Sequence, residues 1–126
     1  MRILVDTQSF YWSLCDPGAL TGRAAAALTD PGISKYLSAV VFWELAIKHA
    51  LGKLILPKPV EVLWAEAEDV ALILPIRPSH LRCLGTLLQH HRDPFDRLMI
   101  AQALEEGWEV VSSDDQWDAY GVVGIW

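Results

Sequence analysis

Five acidic side chains fall where apolar runs end or where helices could begin. Asp6 closes the run Ile3-Leu4-Val5, and Asp114 closes Val110-Val111-Ser112-Ser113. Glu44 lies a few residues beyond Ser38, while Asp93 and Asp96 straddle the start of the segment after Arg92. Each has an ordinary structural use. Asp6 suits a turn or a cap, and Asp93 before Pro94 suits an N-cap. Asp96 would then favour the helix dipole from the third helical position. Glu44 suits a solvated helix face, and Asp114 and Asp115 suit a turn. Together they suggest something else. Carboxylates gathered on one edge repel one another, which raises their pKa values and costs stability unless basic partners or a hard cation offset the charge. An all-oxygen ligand set suits Mg²⁺ or Mn²⁺ rather than zinc. Such ions activate a water and clamp the attacking and leaving oxygens of a phosphodiester.

That chemistry requires elements that bring the five together. Short apolar, β-branched runs predict strands at 3–5, 36–38, 71–76, 110–111 and 122–125. Helical spacing predicts helices over 21–28, 40–51, 60–69 and 79–88, the last with Leu81, Leu84, Leu87 and Leu88 on one stripe. A further helix opens at Asp93-Pro94 and runs through Glu106, and Gly52 and Gly107 serve as stops. The strands are apolar throughout instead of alternating, as in a parallel sheet covered on both faces. The expected fold is therefore α/β, a three-layer α/β/α domain with a short, mainly parallel sheet of four to five strands. Sites in such sheets form at the carboxyl ends of the strands. Asp6 and Asp114 would sit there, and the helix starts bearing Glu44, Asp93 and Asp96 should face the same edge.

Composition narrows the possibilities. At 126 residues the chain reads as one domain over 1–126, with no repeat or low-complexity linker. Hydrophobic residues at 52% against 21% charged residues exclude a disordered chain. Ten basic against 16 acidic residues give a net charge of −6, which excludes simple electrostatic binding of nucleic acid. It does not exclude a nucleic-acid enzyme that recruits cations. Cys15 and Cys83 cannot build a disulfide framework and read as small core residues. Only Ile3, Leu4 and Val5 stand between Met1-Arg2 and Asp6, too short a run for a signal peptide. No apolar run approaches the ~18 residues of a membrane span. A soluble cytoplasmic protein without membrane association is expected.

Four blocks of the sequence, taken in order, carry a family likeness. They are Ile3-Leu4-Val5-Asp6-Thr7, then Ser38 through Lys48 with Leu51-Gly52-Lys53-Leu54 and Pro57, then Arg92-Asp93-Pro94-Phe95-Asp96-Arg97 with Ala101-Gln102-Ala103, and finally Val111-Ser112-Ser113-Asp114 with Tyr120-Gly121-Val122. In these blocks the chain resembles the PIN-domain ribonucleases, and among them the VapC-type toxins of toxin–antitoxin pairs. The resemblance implies an acidic quartet of Asp6, Glu44, Asp96 and Asp114. Asp6 and Asp96 would be the main Mg²⁺ or Mn²⁺ ligands. Glu44 and Asp114 would complete the pocket, directly or through water. Ser112 would orient Asp6 or Asp114. Asp93 stands as a secondary ligand, since the motif contains both acids and Ala101 to Ala103 align with Asp96. Asp115 is the register alternative to Asp114. The implied activity is endonucleolytic hydrolysis of single-stranded RNA, by in-line attack of a metal-activated water, leaving a 5′-phosphate and a 3′-hydroxyl. The implied partners are the RNA substrate, a cognate VapB-like antitoxin whose tail lies along the active-site groove, and a second copy in a homodimer.

Other features carry less. Arg92, Arg97, Lys48 and Lys53 are the basic residues nearest the motifs and could position an RNA backbone or simply form a solvated, ion-paired face. His90-His91 invite a general base, but a metal mechanism needs none and the spacing places no acid beside them. Trp43 reads as a buried support next to Glu44, and Trp12 and Trp117 as the better candidates for exposed surface. A mean hydropathy of +0.25 suggests apolar surface covered by a partner. The competing function is a non-catalytic binding module of the same fold, whose mark would be a missing quartet carboxylate. A receiver domain would need adjacent acids after the first strand, where Asp6 is followed by Thr7. An aspartyl-phosphate phosphatase would need an acid at position 8, which is Gln8. Structure-specific DNA nucleases of this kind tend to carry helical insertions for which the chain has no room.

Overall fold

The computed structural model describes residues 1–126. Five strands, β1 (Arg2–Val5), β2 (Ser34–Ser38), β3 (Leu72–Leu74), β4 (Glu109–Val111) and β5 (Gly124–Ile125), form one sheet in the order β3-β2-β1-β4-β5. All four pairings are parallel. Between the strands run α1 (Thr7–Cys15), α2 (Gly22–Thr29), α3 (Ala39–Ala50), α4 (Val60–Ala67), α5 (Pro78–Leu84) and α6 (Pro94–Glu106), with 3-10 turns at Pro17–Ala19 and Asp115–Tyr120. Successive strand residues point to opposite faces. Ile3, Leu4 and Val5 are nevertheless all buried, as are Val110 and Val111, so the sheet centre is covered on both sides. The expected α/β fold with a covered parallel sheet is observed. The same strands join Leu37, Leu45, Met99 and Ile100 in one apolar core.

Strand order decides where a site can form. The chain steps outward from β1 to β2 to β3, then returns to the other side of β1 with β4. The reversal opens a crevice at the carboxyl ends of β1 and β4. Val5 pairs with Val111, so Asp6 and Ser112 leave the sheet side by side.

Several expectations are corrected. Helix α1 has no apolar period to announce it. Its Ser9, Tyr11, Trp12 and Ser13 are indifferent helix formers. It forms because Asp6 caps it and Phe10 packs edge-on against Phe42, with ring centroids 5.6 Å apart. Helix α5 ends at Leu84 instead of continuing to Leu88. The carbonyls of Leu87 and Leu88 are taken by Arg97, and that of Leu88 also by Tyr120. Trp43 is 52% exposed, because α3 turns Glu44 and not Trp43 inward, and it rests edge-on against Phe95. Trp117 is fully buried beneath the last 3-10 turn, while Trp12 is half-buried against Trp126. Cys15 is exposed at the end of α1 and Cys83 is partly exposed.

Candidate active site

A polar cleft of about 620 Å³ lies over the β1–β4 crevice and is lined by Asp6, Glu44, Asp93, Asp96 and Asp114 among others. All five sequence-chosen carboxylates therefore meet in one place. They arrive on different elements. Asp6 is the N-cap of α1, Glu44 lies within α3, Asp93 caps α6, Asp96 sits in its first turn, and Asp114 caps the last 3-10 turn. In each capping acid one oxygen serves the backbone. Asp6 Oδ1 accepts from Ser9 N at 2.8 Å. Asp93 Oδ1 accepts from Phe95 N at 2.8 Å and Asp96 N at 3.2 Å. Asp114 Oδ1 accepts from Gln116 N at 2.9 Å. The second oxygen of each carboxylate is not needed for the cap. Capping and ligand binding are thus compatible uses of the same side chain. Asp115 does not line this cleft.

Polar neighbours fix the buried pair Asp6, at the start of α1, and Glu44, on α3. The Thr7 hydroxyl donates to Glu44 Oε1 at 2.6 Å, and the Lys48 ammonium donates to Glu44 Oε2 one helical turn away. The Ser9 hydroxyl donates to the Val111 carbonyl at 3.1 Å, and the Asp6 amide donates to the same oxygen at 3.2 Å, which ties α1 to the end of β4. Ser112 is buried beside them and accepts from Asp114 N at 3.1 Å.

The electrostatics follow from five carboxylates facing two ammonium groups, Lys48 and Lys53. Burial pushes the Asp6 carboxyl above its usual range, hydrogen bonds from Ser112 and Ser9 pull it back, and Glu44 adds to the rise. Asp96 is pushed up to about 7, first by burial and then by the charges of Asp93 and Glu44, with His91 pulling the other way. Partial burial works against the charge on Lys48, but its hydrogen bond to Glu44 and the charges of Glu44, Asp93 and Asp96 outweigh it and hold the ammonium above the lysine range. The cleft is short of positive charge. Its donors are carboxylate oxygens of the hard kind, and Asp6, Glu44, Asp93, Asp96 and Asp114 fit a Mg²⁺- or Mn²⁺-like ion.

Two basic residues and one histidine stand elsewhere than expected. Arg97 does not face the cleft; its guanidinium donates to the Leu87, Leu88 and His91 carbonyls and to the Tyr120 hydroxyl. Lys48 is committed to Glu44. Lys53 and Arg92 are exposed. The functional residue that sequence reasoning missed is His91. It is buried, and its Nε2 lies 2.8 Å from Asp114 Oδ2 and 3.1 Å from Asp96 Oδ2. The sequence pattern placed no partner acid for it, and the fold supplies two. Asp114 is brought in by the tertiary fold from 23 residues away, whereas Asp96 lies five positions along the chain, a spacing that matches no regular helix or strand pairing of side chains.

A family model described as the PIN domain matches residues 3–123. The chain belongs to the PIN-domain family. This PIN-domain chain is 30% identical over 115 residues to Ribonuclease VapC22 of Mycobacterium tuberculosis, covering 89% of the chain and 86% of that protein. It is thus a homologue of a VapC ribonuclease, as the four sequence blocks implied. Its fold is shared with FitAcB from Neisseria gonorrhoeae, at 22% identity and a TM-score of 0.68 over 98% of this chain and 96% of that one. It is also shared with VapBC2 from Rickettsia felis bound to a DNA fragment from their promoter, at 12% identity and a TM-score of 0.74 over 98% and 97% of the two chains. No helix of this PIN domain is long and apolar enough to cross a membrane.

Proposed function

We propose that this PIN-domain chain is a metal-dependent endoribonuclease, the toxin of a toxin–antitoxin pair, with the cleft as its active site. The observation that carries this reading is the meeting of five carboxylates from separate elements at the sheet's switch point, crowded enough to push Asp96 up to about 7. Asp6 and Asp96 would hold the ion, with Glu44, Asp114 and Asp93 completing its surroundings. A bound Mg²⁺ or Mn²⁺ supplies an attacking water of lowered pKa and offsets charge building on the scissile phosphate. The chain's own groups do the rest. Thr7 and Lys48 hold Glu44 in one orientation, so it cannot swing away from the ion. Ser9 holds Asp6 against the end of β4, its amide on the Asp6 carboxylate and its hydroxyl on the Val111 carbonyl that the Asp6 amide also meets. Lys53 and Arg92, exposed and without an acidic partner, are suited to the RNA backbone.

The partner reading rests on apolar surface. A groove of about 370 Å³ lined by Phe10, Leu14, Leu28, Leu37, Leu63 and Val70 supports docking of an antitoxin segment. Exposed Trp43, Leu51, Ile55 and Leu88 support burial against a second copy. The decisive experiment is cleavage of total RNA by the partner-free chain with Mn²⁺, Mg²⁺ or chelator, beside Asp96→Asn, with mapping of the new ends. Discrete cuts that require both metal and Asp96 are expected. A folded wild-type chain that takes up metal yet cuts no RNA would favour the non-catalytic binding module instead.

A further inference from the structure

Asp96 and Asp114 come from different elements and point into the same few ångströms. Ligand atoms of His91, Asp96 and Asp114 all lie within 4.8 Å of one another, which is the spacing of a metal triad. The other ring nitrogen of His91 decides against that use. Nδ1 faces the backbone N–H of Asp93 at 3.1 Å and accepts from it. A neutral imidazole has one N–H and one lone pair. With the lone pair spent at Nδ1, the proton lies on Nε2, and that nitrogen has nothing to offer a cation. It can only donate; it is hydrogen-bonded to Asp114 Oδ2 at 2.8 Å, and Asp96 Oδ2 stands beside it at 3.1 Å.

We propose that His91 is a positioning residue, whose Nε2–H donates to Asp114 and stands against Asp96, so that the two carboxylates are set side by side with lone pairs left for the divalent ion. The inference rests on the metal reading of the cleft and deepens it. A helix cap sets the tautomer, because the Asp93 amide that Nδ1 meets lies at the N-cap of α6. The segment carrying His91 has no regular structure, and its position comes from two anchors. The amides of His90 and His91 donate to the Tyr120 hydroxyl at 2.9 and 2.7 Å, and that hydroxyl donates to the Leu88 carbonyl at 2.8 Å. Arg97 adds its guanidinium to the same carbonyl at 2.9 Å. Tyr120 ends the 3-10 turn that Asp114 opens, and Arg97 follows Asp96 on α6. Each clamped acid therefore has, on its own element, an anchor for the loop that bears the clamp.

The test measures Mn²⁺ affinity, and nitrogen coupling to bound Mn²⁺ by pulsed electron paramagnetic resonance, on the full chain and its variants. The wild-type chain should bind Mn²⁺ without a directly bonded imidazole nitrogen. His91→Phe keeps a flat ring but no donor, and should weaken Mn²⁺ binding roughly 10- to 100-fold, as loss of a partner orienting metal ligands does. His91→Gln offers an amide N–H near the place of Nε2 and should recover most of that loss. Tyr120→Phe, which frees the loop, should fall between. Wild-type affinity in a folded His91→Phe overturns the clamp alone. Should His91→Phe fail to fold by circular dichroism, wild-type affinity in Tyr120→Phe overturns it in its place. A bonded nitrogen signal that disappears in His91→Gln overturns it too, by making His91 a ligand. A folded wild-type chain that takes up no Mn²⁺ overturns the metal reading itself, and the clamp with it.

Discussion

Asp6, Asp93 and Asp114 each spend one carboxylate oxygen on a helix or turn cap and need only that one for it. Substitutions can separate the cap from the charge. Asn keeps a capping oxygen and removes the charge, whereas Ala removes both. Asp6→Asn should abolish RNA cleavage and leave metal-free stability equal or higher, since it relieves burial of a charge beside Glu44. Asp6→Ala should abolish cleavage and also cost about 0.5–2 kcal/mol through the lost cap, read from urea unfolding. Equal stability of the two variants would show that the cap to Ser9 contributes nothing. Asp96 yields a prediction in pH. Its folded pKa of about 7 stands above the ordinary carboxylate value near 4, so over that interval the folded chain holds a proton that the unfolded chain has released. Stability of the metal-free protein should therefore fall as pH rises from about 4 to about 7, by on the order of 2–4 kcal/mol, and then level off. Asp96→Asn should remove most of that slope in urea midpoints taken with chelator; an unchanged slope would place its origin elsewhere. The five acids were legible because acids ending apolar runs and opening helices are visible in sequence. His91 was not, because Asp114 reaches it only through the fold and Asp96 at five positions away follows no regular side-chain spacing.

Elements announced themselves to the degree that local rules governed them. Helix α6 carries Asp93, Pro94 and a left-handed Gly107 at its ends, and its predicted limits match the structure. Helix α3, capped by Ser38, is likewise found within one residue of its predicted limits. Helix α1 was invisible, since it depends on a cap and on the packing of Phe10 rather than on propensity. The end of α5 was misjudged because a leucine stripe continues into a loop whose carbonyls Arg97 captures. That last contact reassigns Arg97 from RNA binding to holding the 87–91 segment, and the reassignment is testable. Arg97→Met keeps the aliphatic stem and removes the donors. It should cost about 1.5–3 kcal/mol, the range for hydrogen bonds from a charged donor. Amide hydrogen exchange should accelerate at His90 and His91, whose N–H groups depend on the adjoining Tyr120 hydroxyl, while the β1 and β4 amides stay protected. Weakened RNA binding with unchanged exchange at those two amides would return Arg97 to the RNA surface.

At the scale of the whole molecule, the proposed function asks a chain of net charge −6 to engage a polyanion through a cleft lined with carboxylates. A parallel sheet was legible in the unbroken apolar strands. The strand order was not, and it is the order that sets β4 beside β1 and makes the acids converge. Convergence of like charge leaves the folded state under electrostatic load, and a cation that binds only the folded cleft removes that load. Mg²⁺ or Mn²⁺ should therefore raise the thermal midpoint of the partner-free chain, with a stabilisation of about 2.7 kcal/mol when the ion stands at 100 times its dissociation constant. The gain should be larger at about pH 6 than a monovalent salt of equal ionic strength provides, because screening acts weakly on buried groups whereas a bound ion acts on them directly. Asp96→Asn should lose most of the divalent increment and keep the salt response. The same ion should govern RNA engagement: with divalent metal, Lys53→Ala and Arg92→Ala should raise KM more than they lower kcat, since they touch the backbone and not the reacting phosphate. Equal stabilisation by monovalent and divalent salts would mean that the carboxylates respond only to screening, and an acidic cleft of that kind would have no means of holding a phosphodiester for cleavage.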